Sequence, residues 1–300
     1  MALAAQASQR RTPLARSNWI TALVFLPPAL TVFTIFVIMP VGEAAWYSLY
    51  NWDGYGTPSQ FNGLRNYASV LTNATFLRAL LNNGFIILAS LVVQLPLALG
   101  LALYLSGRQI GTTTFRLIFF LPYILADVAA GLIWRFVFDG DYGLVSAISQ
   151  SFGGEPVYML ADRQLGEIAV LVVIVWKYFG FHMMLYIAGL QGIDAALYEA
   201  ARIDGAGAWQ RFRFITLPQL APMIRLSIFF SVIGSLQFFD MIIPLTNGGP
   251  FNSTHTMVSF LYAFGITRMR VGFGSAVGVI LFCVCVAFAF GYKRWIMRDE

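Results

Sequence analysis

Six stretches of this chain, near 19–39, 83–105, 115–138, 166–190, 223–245 and 273–293, are about twenty residues of mostly apolar side chains. A helix of that length matches the hydrocarbon thickness of a bilayer, and a single soluble domain has no interior large enough to hide six of them. Composition agrees, because 58% of the residues are apolar and only 11% charged, against about half and a quarter in soluble domains. The runs are continuous and lack the two-residue alternation of barrel strands. Their Gly and Pro residues are compatible with helix, since neighbouring helices can satisfy the freed backbone groups. The pattern predicts an all-α integral membrane protein with six transmembrane helices.

The first run is longer than the 7–15 residues of a signal-peptide core and is expected to be a retained span. It follows a polar tail at 1–18, and a second short tail at 294–300 closes the chain, leaving 19–293 as one transmembrane domain. Basic residues mark the cytoplasmic side of a membrane protein. With the N-terminus inside, that side holds Arg10, Arg11, Arg16, Arg108, Arg116, Arg202, Arg211, Arg213, Arg225, Lys293, Arg294 and Arg298. The opposite side holds only Arg65, Arg78, Arg163, Arg268 and Arg270, so both termini are expected in the cytoplasm. Trp46, Tyr47, Tyr50, Trp52 and Tyr55, and again Trp134, Phe136 and Phe138, sit where interfacial aromatic belts belong. Arg135 among them is read as a snorkelling interface anchor.

Several functions are excluded by what the sequence lacks. The net charge of +5 comes from residues scattered between apolar runs, with no basic stripe for nucleic acid. Cys283 and Cys285 lie two apart in the last run, on different helix faces, and suggest neither a disulfide framework nor a metal site. No G-x-x-x-x-G-K-[ST] loop, H-E-x-x-H helix or G-x-S-x-G elbow is present, so no catalytic role, metal or cofactor is expected in this chain. If transport is active, ATP must be bound by a separate subunit.

The loop between the fourth and fifth runs is the most informative polar segment. Residues 195–203 are rich in helix formers, Gly205 and Gly207 offer a cheap positive-φ break, and 208–215 give a second short helix before Pro218. Such a pair makes a compact knob, with Arg202, Arg211 and Arg213 outward and Ala200, Ala201 and Ile203 as small packing residues. It resembles the EAA loop of ABC importer permeases: Glu199-Ala200-Ala201, then Asp204-Gly205, then Ile215-x-Leu217-Pro218 after nine residues. In that family the loop is the coupling helix that sits in a cleft of the ATP-binding subunit.

The likeness to the carbohydrate-importing branch extends over most of the chain. It is carried by Phe61-Asn-Gly-Leu-Arg-Asn-Tyr67, Leu121-Pro-Tyr123, Leu245-Thr-Asn-Gly-Gly-Pro250 with Thr254 and Tyr262, and the ending Tyr292-Lys-Arg-Trp295. The resemblance implies a bacterial inner-membrane subunit that works with a second homologous permease, two ATPase subunits, an extracytoplasmic solute-binding protein and a sugar. A permease of the same superfamily for a non-sugar solute, or an ion-coupled secondary transporter relaying protons through Asp127, Lys177 and Asp240, are the alternatives.

Ionisable residues inside a span are expensive and point to function. Asp127 and Lys177 fall near the middles of the third and fourth runs and are expected to pair or to meet the solute. Asp240 falls nearer the outer end of the fifth run, where water reaches it. Carried over from maltose-type permeases, the solute-facing positions are Tyr123, Asp127, Ile174, Lys177, Tyr178, Ser231, Ser235 and Phe238. Apart from Tyr123 and Ser231 these positions hold other residue types than in maltose-type permeases, so maltose itself is not implied. Gly274 and Gly278, a G-x-x-x-G, are assigned to helix packing.

Overall fold

The computed structural model describes residues 14–107 and 111–297. Residues 1–13 of the expected N-terminal tail and 298–300 of the C-terminal one, with Arg10, Arg11, Arg108 and Arg298, lie outside the described residues. Among the described residues the chain is helical and has no strand ladder. Helix α1 covers 14–47, α2 Arg65–Leu71, α3 Ala74–Leu105, α4 Thr112–Ile124, α5 Asp127–Val137 and α6 Leu144–Ser151. They are followed by α7 Arg163–Gln191, α8 Ala195–Ile203, α9 Ala208–Leu236, α10 Ile242–Thr246, α11 Met257–Ile266 and α12 Val271–Trp295. Five helices are long and apolar enough to cross a membrane, or six if the bent pair α4 and α5 counts as one span.

Short polar side chains set where several helices begin. Asn73 accepts from the amides of Thr75 and Phe76 ahead of α3, Asp162 from Gln164 and Leu165 ahead of α7, and Asp194 from Ala196 ahead of α8. Each cap satisfies an orphan N–H and contributes about 1 kcal/mol. Three of the prolines inside long helices lie two residues beyond a widened π turn: Pro40 after Thr34–Ile38, Pro96 after Ser90–Gln94 and Pro218 after Phe212–Thr216. Proline lacks the amide and its ring crowds a carbonyl one turn earlier, so an i to i+5 turn gives the ring room without ending the helix. The second short helix expected at 208–215 therefore does not stop at Pro218 but runs on as α9 to Leu236.

Two other expected boundaries also differ. The run at 115–138 is broken at Leu125 and Ala126, which are extended, and α4 and α5 meet at 98°. Asp127 thus opens a helix and does not lie mid-helix. The run at 223–245 stops being one helix at Leu236 and resumes as the short α10. In both places a distant polar side chain catches the freed carbonyls.

Helices in lipid gain nothing from hiding apolar surface from one another, so association rests on close packing and hydrogen bonds. Glycine provides the close approaches: a Cβ on Gly180 of α7 would lie 2.0 Å from the Phe119 carbonyl oxygen of α4. A Cβ on Gly265 of α11 would lie 2.5 Å from Cα of Gly274 in α12, and Gly278 faces Leu261, as helix-packing residues should. The central helix is α7, whose buried face includes Val173, Ile174, Lys177, Gly180 and Met183. One apolar core joins it to α3, α5 and α10 around Ile86, Ala130, Val173 and Ile242, and another joins it to α3 and α9 around Ala98, Met183 and Leu220. The apolar part of α1, by contrast, is not buried against the rest of the chain.

Candidate functional site

The α4/α5 bend leaves the last carbonyls of α4 without intrahelical donors, and Lys177 meets them from α7. Its ammonium is 3.1 Å from the Pro122 oxygen, 3.3 Å from that of Tyr123 and 2.5 Å from that of Leu125. The same ammonium is 3.1 Å from Oδ1 of Asp127, in the first turn of α5. A cation at the C-terminus of one half-helix and an anion at the N-terminus of the next both complement the backbone dipoles. Lys177 is only 2% exposed, and such burial is tolerable because every proton of the ammonium has an acceptor. The Tyr178 hydroxyl donates to the same Asp127 oxygen at 2.9 Å, tying the pair to the ring beside it.

Next to this strut lies a cavity of about 340 Å³ between α3, α4, α7 and α9. Tyr123, Ile174, Tyr178, Ser231, Ser235 and Phe238, six of the positions singled out from the sequence, line it together. Asp127 and Lys177 do not line it; they stand behind Tyr123 and Tyr178. The aromatic rings form a connected wall: Tyr123 stacks on Phe181 at 4.9 Å, Tyr178 meets Phe238 edge-on at 6.1 Å, and Phe181 meets Phe230 at 6.1 Å. Ser235 donates to the Ser231 carbonyl at 2.7 Å, whereas the buried Ser231 hydroxyl has no hydrogen-bond partner among the described residues.

Ile86, Ser90, Gln94, Phe181, His182, Phe230 and Gly234 also line the cavity and are not among the positions expected from the sequence. Ser90 and Gln94 carried a usable signal, being polar residues four apart, and so on one face, in an otherwise apolar run. His182 carried another, as a polar side chain deep in the fourth run; its Nδ1 is 2.6 Å from the Ser227 hydroxyl of α9.

Far along α7 from the strut, the 195–218 segment forms an exposed knob of α8 and the start of α9. Gly205 has φ +79° with open space around it, so only glycine's backbone freedom is in demand there. Gly207, at φ −68°, needs no such freedom. The Ala206 amide donates to the Ala201 carbonyl at 2.8 Å, and the Tyr198 hydroxyl meets that of Thr216 at 2.9 Å, pinning α8 to α9. Glu199, Ala200, Asp204, Gly205 and Pro218 are exposed, while Ala201, Ile215 and Leu217 are half-buried. Ile203 and Ala200, expected as packing residues, are exposed, Ile203 at 87%, and Trp209 and Phe214 are exposed as well, so the knob presents apolar side chains outward.

Residues 94–299 match the family described as "Binding-protein-dependent transport system inner membrane component". The chain is 32% identical to the probable ABC transporter permease protein YurN of Bacillus subtilis (strain 168), across 91% of this chain and 95% of that one. It is 33% identical to the diacetylchitobiose uptake system permease protein NgcF of Streptomyces coelicolor, covering 89% and 79% of the two chains. It is 34% identical to the trehalose/maltose transport system permease protein MalF of Thermococcus litoralis, covering 89% and 90%. A chain from a bacterial ABC transporter that imports the acidic polysaccharide alginate shares the fold, with a TM-score of 0.81 at 22% identity over 95% of this chain and 97% of that one. A multi-pass helical chain with this cavity, this exposed knob and this family match is a membrane transport component and not an enzyme: it belongs to the binding-protein-dependent transport system inner membrane component family.

Proposed function

We propose that this chain is the solute-conducting permease of an ATP-driven importer in the bacterial inner membrane, and that its cargo is a neutral sugar. The observation that carries the reading is the lining of the 340 Å³ cavity: five aromatic rings, serine hydroxyls, one amide and one imidazole, with no carboxylate, ammonium or guanidinium among them. A sugar presents apolar C–H faces to rings and hydroxyl edges to neutral donors and acceptors, and this lining supplies both. Relatives whose names specify diacetylchitobiose, lactose, trehalose or maltose, and the anionic sulfoquinovosyl glycerol support a sugar or sugar derivative as cargo, and the uncharged lining selects the neutral kind. The alginate importer carries an acidic chain, but that likeness lies in the fold, and here the ionised groups are occupied with one another.

On this reading α4 and α5 together make one bent span, so the membrane is crossed six times within 19–293. Both termini, including the tails 1–18 and 294–300, face the cytoplasm with the 195–218 knob between spans four and five. Glu199, Ala200, Ala201, Asp204, Gly205, Ile215, Leu217 and Pro218 form the docking element for one of two ATPase subunits, which bind the ATP. A second homologous permease completes the pathway, and an extracytoplasmic binding protein delivers the sugar. An ion relay through Asp127 and Lys177 would leave both the knob and the family membership without a role.

The test is uptake by proteoliposomes holding the complete importer. Neutral disaccharides should accumulate only with ATP and loaded binding protein, and the purified chain alone should hydrolyse no ATP. Accumulation without the ATPases would overturn the reading.

A further inference from the structure

We infer that Gln94, on the π turn of α3, is a direct solute contact that sets sugar selectivity from the α3 side of the cavity; this rests on the sugar reading above. Four observations converge on it. Gln94 and Ser90 are each 2% exposed, yet both line the cavity. The Ser90 hydroxyl donates to Oε1 of Gln94 at 3.4 Å, which orients the amide and leaves its nitrogen as the free end. Among the described residues no hydrogen bond from that nitrogen to a protein group is seen, so its N–H groups are available to an acceptor in the cavity that Gln94 lines. On α9 the buried Ser231 hydroxyl has no hydrogen-bond partner among the described residues, so two neutral polar groups from different helices line one space with bonds still to make.

The π turn accounts for the placement. The amide of Leu95 bonds the Ser90 carbonyl five residues back, so the turn holds one residue more than an α turn. That extra residue rotates the two polar side chains toward the cavity while Val92 and Val93 stay on the outer surface of α3. A sugar hydroxyl both donates and accepts, and an amide flanked by a serine hydroxyl can serve it in both senses. The lining offers no formal charge, so the ligand class is a neutral polyol.

The test has two arms. In the complete reconstituted importer, uptake of labelled lactose, trehalose and N,N′-diacetylchitobiose is measured for the unaltered chain and for Gln94→Leu and Gln94→Asn. Losing one neutral hydrogen bond corresponds to roughly a two- to tenfold rise in KM. That rise should exceed any fall in the saturating rate and should differ between sugars, with Gln94→Asn recovering part of it. A uniform fall in rate with KM unchanged would make Gln94 a packing residue only. The second arm needs no sugar: in a Cys283→Ser, Cys285→Ser background, Gln94→Cys should react with a charged, membrane-impermeant thiol reagent and Val92→Cys should not. An unreactive Gln94→Cys, or equal reaction at both positions, would overturn the inference. If the unaltered importer carried none of the three disaccharides, the sugar reading would fall while this arm still decided whether Gln94 faces the solute path.

Discussion

Two long apolar stretches of this chain are interrupted, and they repair the interruption by different chemistry. At the α4/α5 bend the freed carbonyls go to an ammonium, Lys177, itself balanced by Asp127. At the α9/α10 break they go to neutral groups. Asn83 of α3 donates to the Ser235 oxygen at 2.5 Å and accepts from the Met257 amide at 2.9 Å, while the Thr256 hydroxyl donates to the Phe238 oxygen at 2.5 Å. A charged clamp binds more tightly and fails harder, because removing one member strands the other in a dry site. A neutral clamp loses hydrogen bonds and no more. The charged clamp sits directly behind the cavity rings, at the point where a bent span would have to keep its angle.

The sharpest way to break the comparison is Lys177→Met. It strands the carbonyls of α4 and the Asp127 carboxylate together, and should cost about 3–5 kcal/mol in unfolding of the purified chain by denaturing detergent. Adding Asp127→Leu should return part of that loss through a coupling of about 0.5–3 kcal/mol. Strictly additive effects would mean that the two charges are independent and that the clamp is a coincidence of geometry.

Asn83→Ala tests the neutral clamp. It leaves buried backbone groups of Ser235 and Met257 unpaired and should cost about 1–3 kcal/mol in the same unfolding measurement, less than Lys177→Met. An equal or larger loss would erase the distinction between the clamps.

Acid should act on the neutral region. His255, whose carbonyl accepts from Asn82, has its imidazole held down to about 4 by burial, with Arg268 nearby adding to the effect. An unfolded histidine titrates near 6.5, so between about 6.5 and 4 the unfolded state binds more protons than the folded one. Stability should therefore fall by on the order of 1–2 kcal/mol as the pH drops from about 7 to 5, and His255→Gln should flatten the profile over that window. The smallest effect is expected from Tyr178→Phe, which removes one hydrogen bond to Asp127 and should cost about 0.5–1.5 kcal/mol.

What could be read from the sequence follows the range of the interactions involved. The apolar runs, the capping residues Asp162 and Asp194 and the Glu199 to Pro218 motif are local, and each is visible within a window of twenty residues. The bend at Leu125 is not, because the run from 115 to 138 is equally apolar on both sides, and the group that stabilises the break is Lys177 on another helix. The end of α9 at Leu236 depends likewise on Asn83, more than a hundred and fifty positions earlier. The cavity was half legible: Tyr123, Ile174, Tyr178, Ser231, Ser235 and Phe238 were found by resemblance, whereas Phe181 and Phe230 look like ordinary apolar span residues, and the four-residue spacing of Ser90 and Gln94 puts them on one face without saying that the face lines a cavity.

The central claim is that an ATP-driven importer moves a neutral sugar through a cavity whose nearby charges, Lys177 and Asp127, are committed to the bend and to each other. It is tested most directly by competing neutral disaccharides against an anionic alginate oligosaccharide for uptake into proteoliposomes that hold the complete importer. The account predicts ATP-dependent accumulation of a neutral sugar, with the uronate chain neither accumulated nor inhibitory. Preferential uptake of the anionic chain, lost on Lys177→Met, would contradict it by showing that the buried ammonium serves the solute and not the bend.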